Sequence, residues 1–191
     1  MPDALMPELG HVRVTVAGQD HDFVPSLAAI NSLGSGAEII QTAADLHDRR
    51  PLFFLAAARA VMLACYRGDP EALLPLIGWQ EDGCDYPGAM PQAELLAVAR
   101  HLIQHGTAGK AKPGSSRGQY TAEFSVAQHV AAAVAHLGVS RADALAMTMT
   151  EMQTLIEAKF PEARAKEVPS REEYRKQLAA IMAKRKGKRV H

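Results

Sequence analysis

Cysteine is scarce in this chain: Cys65 and Cys84 are the only two, 19 residues apart and without a Cys-x-x-Cys spacing. A disulfide scaffold is not expected from so few, and the pair reads as reduced thiols of a cytosolic protein. Aromatic residues are also few, at 5% of 191 residues. Long apolar runs are missing: no stretch approaches the roughly 20 residues a membrane-spanning helix needs, so no membrane partner is expected. The most apolar segment, residues 51–64, is interrupted by Arg59 and reads as a core helix. No signal peptide is expected either, since the N-terminal segment is acidic and carries Pro2 and Pro7.

Net charge is zero, but it is unevenly spread. Residues 159–191 hold 11 Lys/Arg against 4 Asp/Glu, while residues 1–158 hold 10 against 17. An acidic body with a basic tail points to an electrostatic partner for the tail or to head-to-tail self-association. What is abundant is alanine, in residues 56–64, 93–99, 127–135 and 142–146, together with 48% apolar residues overall. Alanine is the best helix former and lets helices approach closely, and the apolar content suffices for a core. The fold class expected is therefore mainly α: a compact multi-helix domain over residues 1–161 and a basic helical tail over 162–191.

The N-terminus breaks the helical pattern. Val12, Val14 and Val16 alternate with Arg13 and Thr15, residues 17–20 supply a turn with Gly18 at positive φ, and residues 21–24 form the returning strand of a small β-hairpin. Helices follow: one capped by Ser26 and stopped at Gly34, one over 37–47, one from Pro51 to about Tyr66, and one capped by Asp69 and ending near Ile77. Residues 79–90, with the only Trp, read as a surface loop or small hairpin. Pro91 opens a helix ending at His105, with Gly106 in the C′ place. Residues 107–119 are a linker or mobile loop. Tyr120 or Thr121 opens the next helix, which Gly138 stops. Ser140 then caps 141–146, and Thr148 caps 149–159 through a Thr-x-x-Glu capping box with Glu151. Residues 137–161 thus form two short helices with almost no loop, which must dock on something, and the 120–137 helix is the expected partner. Ser170 and Glu173 make a second capping box for a final helix over 171–184.

Few groups promise chemistry. His101 and His105 have the i, i+4 spacing of a shared metal site, but Leu102 stands where a zincin motif needs Glu. With His129 and His136 one helix further on, half-exposed helix histidines are the plainer reading, and no metal is expected. The Gly106–Lys110 stretch has two residues between its glycines and Ala111 in place of Ser/Thr, so it is no phosphate loop. Asp45, His47 and Asp48 put a His beside carboxylates, yet no activated Ser or Cys is near in sequence, and a polar helix end suits them better. No convergent acid, base and nucleophile emerges, so neither enzymatic function nor a cofactor is expected.

Contact surfaces are the alternative. Met149, Met152 and Ile156 give a flexible apolar face of the kind that suits adaptable protein partners. Lys110 and Lys112 lie in a basic loop. Lys184, Arg185, Lys186, Lys188 and Arg189 place five cations in six positions, enough to contact phosphates, though Tyr174 is the only aromatic nearby for base stacking.

One set of residues runs from Met90 onward: Met90-Pro91, Ala99-Arg100-His101-Leu102, His105-Gly106, Gly109-Lys110-Ala111-Lys112, Tyr120-Thr121-Ala122-Glu123-Phe124, and His136-Leu137-Gly138-Val139-Ser140-Arg141. It continues through Leu145, Thr148-Met149-Thr150-Glu151, Ala158-Lys159-Phe160-Pro161 and Arg171-Glu172-Glu173-Tyr174. On these residues the chain resembles an uncharacterised family of tailed-phage and prophage tail proteins, more loosely over the N-terminal hairpin and Leu76-Ile77-Gly78-Trp79. The resemblance implies a non-enzymatic role in virion morphogenesis: a tail assembly chaperone binding the tape-measure or tail-tube protein in the host bacterial cytoplasm. Two alternatives stand beside it: a minor tail protein retained in the virion, and a nucleic-acid-binding regulator using the basic tail. The expected partners are phage tail proteins through the ten contact residues just named, with a homo-oligomer as a further expectation.

Overall fold

The computed structural model describes residues 5–82, 84–110 and 123–161. The described chain is mainly helical with a small N-terminal hairpin, as the alanine content and hairpin pattern predict. After a 3-10 turn, Pro7–Leu9, come β1 (Val12–Val16), β2 (Gln19–Phe23), α1 (Leu27–Asn31), α2 (Gly36–Asp45), α3 (Pro51–Cys65) and α4 (Pro70–Ile77). Then follow β3 (Trp79–Glu81), β4 (Cys84–Tyr86), α5 (Gln92–Thr107), α6 (Val126–Leu137), α7 (Arg141–Ala146) and α8 (Met149–Lys159). The chain divides into two compact units, Met1–Leu155 and Ile156–His191. The described part of the second is the end of α8 and two residues beyond, where Phe160 N–H bonds the Ile156 carbonyl at 2.9 Å. The expected final helix over 171–184 lies outside the described residues.

The hairpin turn is tighter than its sequence suggests. Ala17 and Gly18 both take positive φ, at 49° and 79°, so a two-residue turn joins the strands and β2 starts at Gln19 rather than His21. Both central residues at positive φ match the right-handed twist of the strands. Arg13 forks onto Asp22 across the pair, at 2.6 and 2.7 Å, and Thr15 donates to Asp20 at 2.7 Å. The other side of β2 buries His21 and Phe23 against Tyr66. Two strands are marginal alone. Here the exit of α3 completes the ladder, with Val24 N–H on the Cys65 carbonyl at 2.8 Å and Arg67 N–H on that of Asp22 at 2.9 Å.

The core is the contact of α3 with α5, joined by α1 and α2. Leu55, Ala58, Val61 and Met62 of α3 are buried, as are Leu95, Ala99, Leu102 and Ile103 of α5, and Ala58 and Ala99 let the helix axes come close. Cys65 is buried there too, and desolvation pushes its thiol pKa up to about 12, an inert structural thiol. No helix among the described residues is long and apolar enough to cross a membrane.

Side-chain caps set most helix starts. Ser26, Ser35, Ser125 and Ser140 each accept a backbone N–H three residues on, and Ser35 with Glu38 forms a full capping box. Several boundaries differ from expectation. The helix expected over 37–47 is α2, which starts at Gly36 under the Ser35 cap and ends at Asp45. The helix before Gly138 begins at Val126 under the Ser125 cap, not at Tyr120 or Thr121, because Phe124 is buried with its N–H on the Gly36 carbonyl at 3.2 Å. Gly106 is not a C′ residue but lies inside α5, where a Cβ would stand 2.5 Å from Ile30 Cδ1. The positive φ that ends the helix falls at Gly109 instead, at 71°.

Candidate docking surfaces

The predicted Met-rich face turns inward. Met149 and Met152 are each 4% exposed, so neither side chain offers a surface to a partner. The reason is where α8 begins. Thr148, capping Glu151 N–H at 3.0 Å, donates its hydroxyl to the Leu9 carbonyl at 2.8 Å. Leu27 N–H bonds the Met147 carbonyl at 2.8 Å, and Ser26 bridges to Thr148. His105 on α5 meets Thr150 at 2.7 Å. The start of α8 is therefore seated on the N-terminal segment, α1 and the end of α5, while α7 packs on both α6 and α1. Ile156 is half-buried and belongs to the second unit.

The basic loop begins as a clamped one. Gln153 donates from Nε2 to the Ala108 carbonyl at 3.0 Å and accepts Lys110 N–H on Oε1 at 2.9 Å. Gly109 permits this, since a Cβ there would collide with the Gln153 amide. Residues 106–110 are thus the end of α5 fastened to α8, not a phosphate cradle. Lys110 is exposed. Lys112, Lys184, Arg185, Lys186, Lys188 and Arg189 lie outside the described residues.

His101 and His105 do come together, with ring centroids 4.3 Å apart and planes tilted by 39°. Gly10 lies against the His105 ring, and His101 Nε2 is buried without a hydrogen bond. Burial, then the His101 charge, lowers the pKa of His105. His129 stacks on Phe124 instead, with its pKa lowered by burial. No group of three or more His, Cys, Asp or Glu among the described residues is placed to hold a metal ion. The imidazole pair is two ligands short of a structural zinc site.

A cavity of about 530 Å³ opens between the N-terminal segment, the end of β2 and the α7–α8 junction, with His11, Asp22, Arg67, Asp143 and Glu151 among its walls. Sequence reading missed it, because its walls come from four separated segments. His11 Nδ1 accepts Met6 N–H at 3.2 Å, which puts the ring proton on Nε2. Burial and the Arg67 charge lower the His11 pKa. Asp22 is held by Arg13, and Asp143 by the Ser140 hydroxyl at 2.7 Å. None of the lining residues carries a hydroxyl or thiol. Asp48 is likewise engaged, by Arg50 at 2.7 Å, and does not orient His47.

Among the described residues, the outer side of α6 is an apolar face that stays open. Val130 and Ala133 are buried, while Ala127, Ala131, Val134 and Ala135 face out at helical spacing, Val134 being 41% exposed. With Leu145 of α7 they line an apolar groove of about 560 Å³, whose polar members are Asn31 and Arg141. Small residues on one side and branched ones on the other make a trough able to seat an apolar helix. The alternation was readable at 127, 131 and 134, but core packing explains the same spacing.

Comparison with curated proteins gives no match, and comparison with solved structures gives none. A family model, described as a family of unknown function (DUF6246), matches residues 49–176 and so takes in α3 through α8. Because that match covers most of the chain, the protein belongs to this family of unknown function.

Proposed function

We propose that this chain is a non-enzymatic bacteriophage tail morphogenesis protein, a tail assembly chaperone that binds the tape-measure or tail-tube protein. The observation that carries the reading is the α6–α7 groove: an apolar surface with no partner among the described residues, beside which Val134 stands 41% exposed. The resemblance of residues 90–174 to phage tail proteins supplies the client. A tape-measure protein presents long apolar helices before the tube polymerises around it. A helix laid along Ala127, Ala131 and Val134 would bury apolar area at roughly 25 cal/mol per Å². Lost rigid-body and side-chain freedom offsets much of that gain, so the complex would be weak enough to yield to the growing tube.

Co-expression with the long helical tail protein of the same phage tests this. Wild type should raise the soluble fraction of that protein severalfold, and Ala131→Glu should abolish the gain while leaving the chaperone folded. Unchanged solubility with wild type would refute the reading. Mass spectrometry of purified particles separates a chaperone, absent from the virion, from a retained minor tail protein.

A further inference from the structure

Trp79 and Tyr86 face each other across the β3–β4 hairpin, with ring centroids 5.1 Å apart and planes 12° from parallel. Both rings stand open, at 41% and 42% exposure. The hairpin that carries them is nevertheless firmly held. Arg59, buried in α3, donates from Nε to the Ile77 carbonyl at 3.0 Å and pairs its Nη1 with Asp85 at 2.5 Å. Ala89 and Met90 N–H bond the carbonyls of Pro75 and Leu76, each at 2.9 Å. Strands of three residues do not stand alone. The fold therefore fixes the base of this hairpin and leaves its aromatic face uncovered.

Beside the stack lies a cleft of about 500 Å³ lined by Glu71, Leu74, Pro75, Trp79, Gln80 and Glu81. Its lining combines the apolar Leu74, Pro75 and Trp79 with the carboxylates of Glu71 and Glu81. The surrounding chain has one sign of charge: residues 68–99 contain six Asp/Glu and no Lys, Arg or His. An apolar occupant would bury Glu71 and Glu81 without partners, and an acidic one would be repelled. A Lys/Arg-bearing segment satisfies every element of the cleft, because an indole face attracts cations and the flanking carboxylates pair with them. The chain carries such a segment at residues 184–189, five cations in six positions with no Asp or Glu after Glu173. That segment is present at the same concentration as the cleft.

We infer that the Trp79–Tyr86 face is a docking site for residues 184–189 of a second copy of this chain. The contact is heterologous, the cleft of one copy taking the basic segment of the next, so it generates closed rings or open chains rather than an isologous pair. It uses a surface separate from the α6 groove and stands whether or not that groove binds a tail protein.

Trp79 is the only tryptophan, so its emission reports the site directly. The full chain, reduced to keep the exposed Cys84 from cross-linking, is followed by sedimentation velocity and Trp79 fluorescence over a concentration series. Association should rise with concentration at low salt, change Trp79 emission in parallel and weaken strongly at 0.5 M salt (about a 4 Å Debye length). Glu81→Lys and Arg185→Glu/Lys186→Glu should each shift the midpoint at least tenfold, and their combination should recover part of the loss. A chain that stays monomeric throughout, or association that ignores both reversals, overturns the inference. So does a Trp79 signal that changes on charge reversal but not with concentration, since it would assign the face to the same copy's own segment.

Discussion

The ring of His105 and the hydroxyl of Thr150 share a hydrogen bond of 2.7 Å that joins α5 to α8 across 45 residues of sequence. It belongs to a set of partly buried imidazoles whose protonation the fold resists. Burial is the leading cause of the lowered pKa at His105, His11 and His129 alike.

That gives the first prediction. Each of these rings has a folded pKa below the unfolded 6.5, so the unfolded chain takes up the protons first as pH falls. Their contribution is complete above 6.5 and declines as pH falls through it. The melting temperature should therefore drop between pH 7 and 5, and His105→Gln should make that drop shallower. Asp22 and Glu38 have lowered pKa values, held down by Arg13 and by Ser35 respectively. Their contribution is lost at lower pH, through and below the ordinary carboxylate range, so calorimetry across pH should resolve a second decline. A flat profile from pH 7 to 5 would contradict the assignment.

Two glycines should resist substitution for different reasons, a close contact at one and a backbone conformation at the other. At Gly106 an added methyl meets Ile30 Cδ1 at 2.5 Å inside a filled core. Overpacking of that kind costs about 1–3 kcal/mol, against a helix-propensity gain of about 1 kcal/mol. Gly138 has φ 74° with nothing within 4 Å of a Cβ, so Gly138→Ala should cost only about 1 kcal/mol of backbone strain. Urea unfolding of both variants checks the difference. If Gly106→Ala raises stability, the close contact with Ile30 is wrong.

Met152 and Ala131 separate the core from the docking surface. Met152→Ala should destabilise the protein by about 2–5 kcal/mol, as expected for a buried side chain cut back in a packed site. Ala131→Glu, on the open side of α6, should change stability by no more than about 0.5 kcal/mol. Thermal melts of the pair decide it, and similar losses in both would put α6 in the interior.

Arg59→Leu should loosen the β3–β4 hairpin. It strips the Ile77 carbonyl of its donor and leaves Asp85 unpaired, for a cost of about 1–3 kcal/mol. Asp85 is partly exposed and recovers water, which keeps the loss below that of a fully buried pair. Amide exchange in residues 79–86 should accelerate while that of α5 holds. Unchanged exchange would show that the glycine-rich base alone holds the hairpin.

Local chemistry made the helices legible. Ser26 and Ser140 act over three residues, so their side chains announce a helix start without reference to the rest of the chain. Ser35 and Glu38 form the same signal, hidden when the helix is begun at Ala37. Non-local choices were not legible. A glycine ending an apolar run, as at Gly106, serves equally as a cap or as a close contact, and only Ile30, 76 residues earlier, decides between them. The periodicity of 149–159 marks an apolar side but not which neighbour covers it. Met149 and the Ala127–Val134 stripe therefore look alike in sequence, although the fold buries one and leaves the other open. Arg59 stands out as a break in an apolar run, yet its partners Ile77 and Asp85 lie 18 and 26 residues away.

The bond from Thr148 to Leu9 spans 139 residues, and the neighbouring bond from Leu27 to Met147 spans nearly as many. During synthesis the N-terminal hairpin and α1 emerge before the groups that seat them, which lie more than a hundred residues further on. Native closure of the hairpin therefore waits for residues 147 and 148, and chains stalled or truncated before residue 148 would carry an unlatched hairpin, the kind of nascent intermediate that draws host quality control.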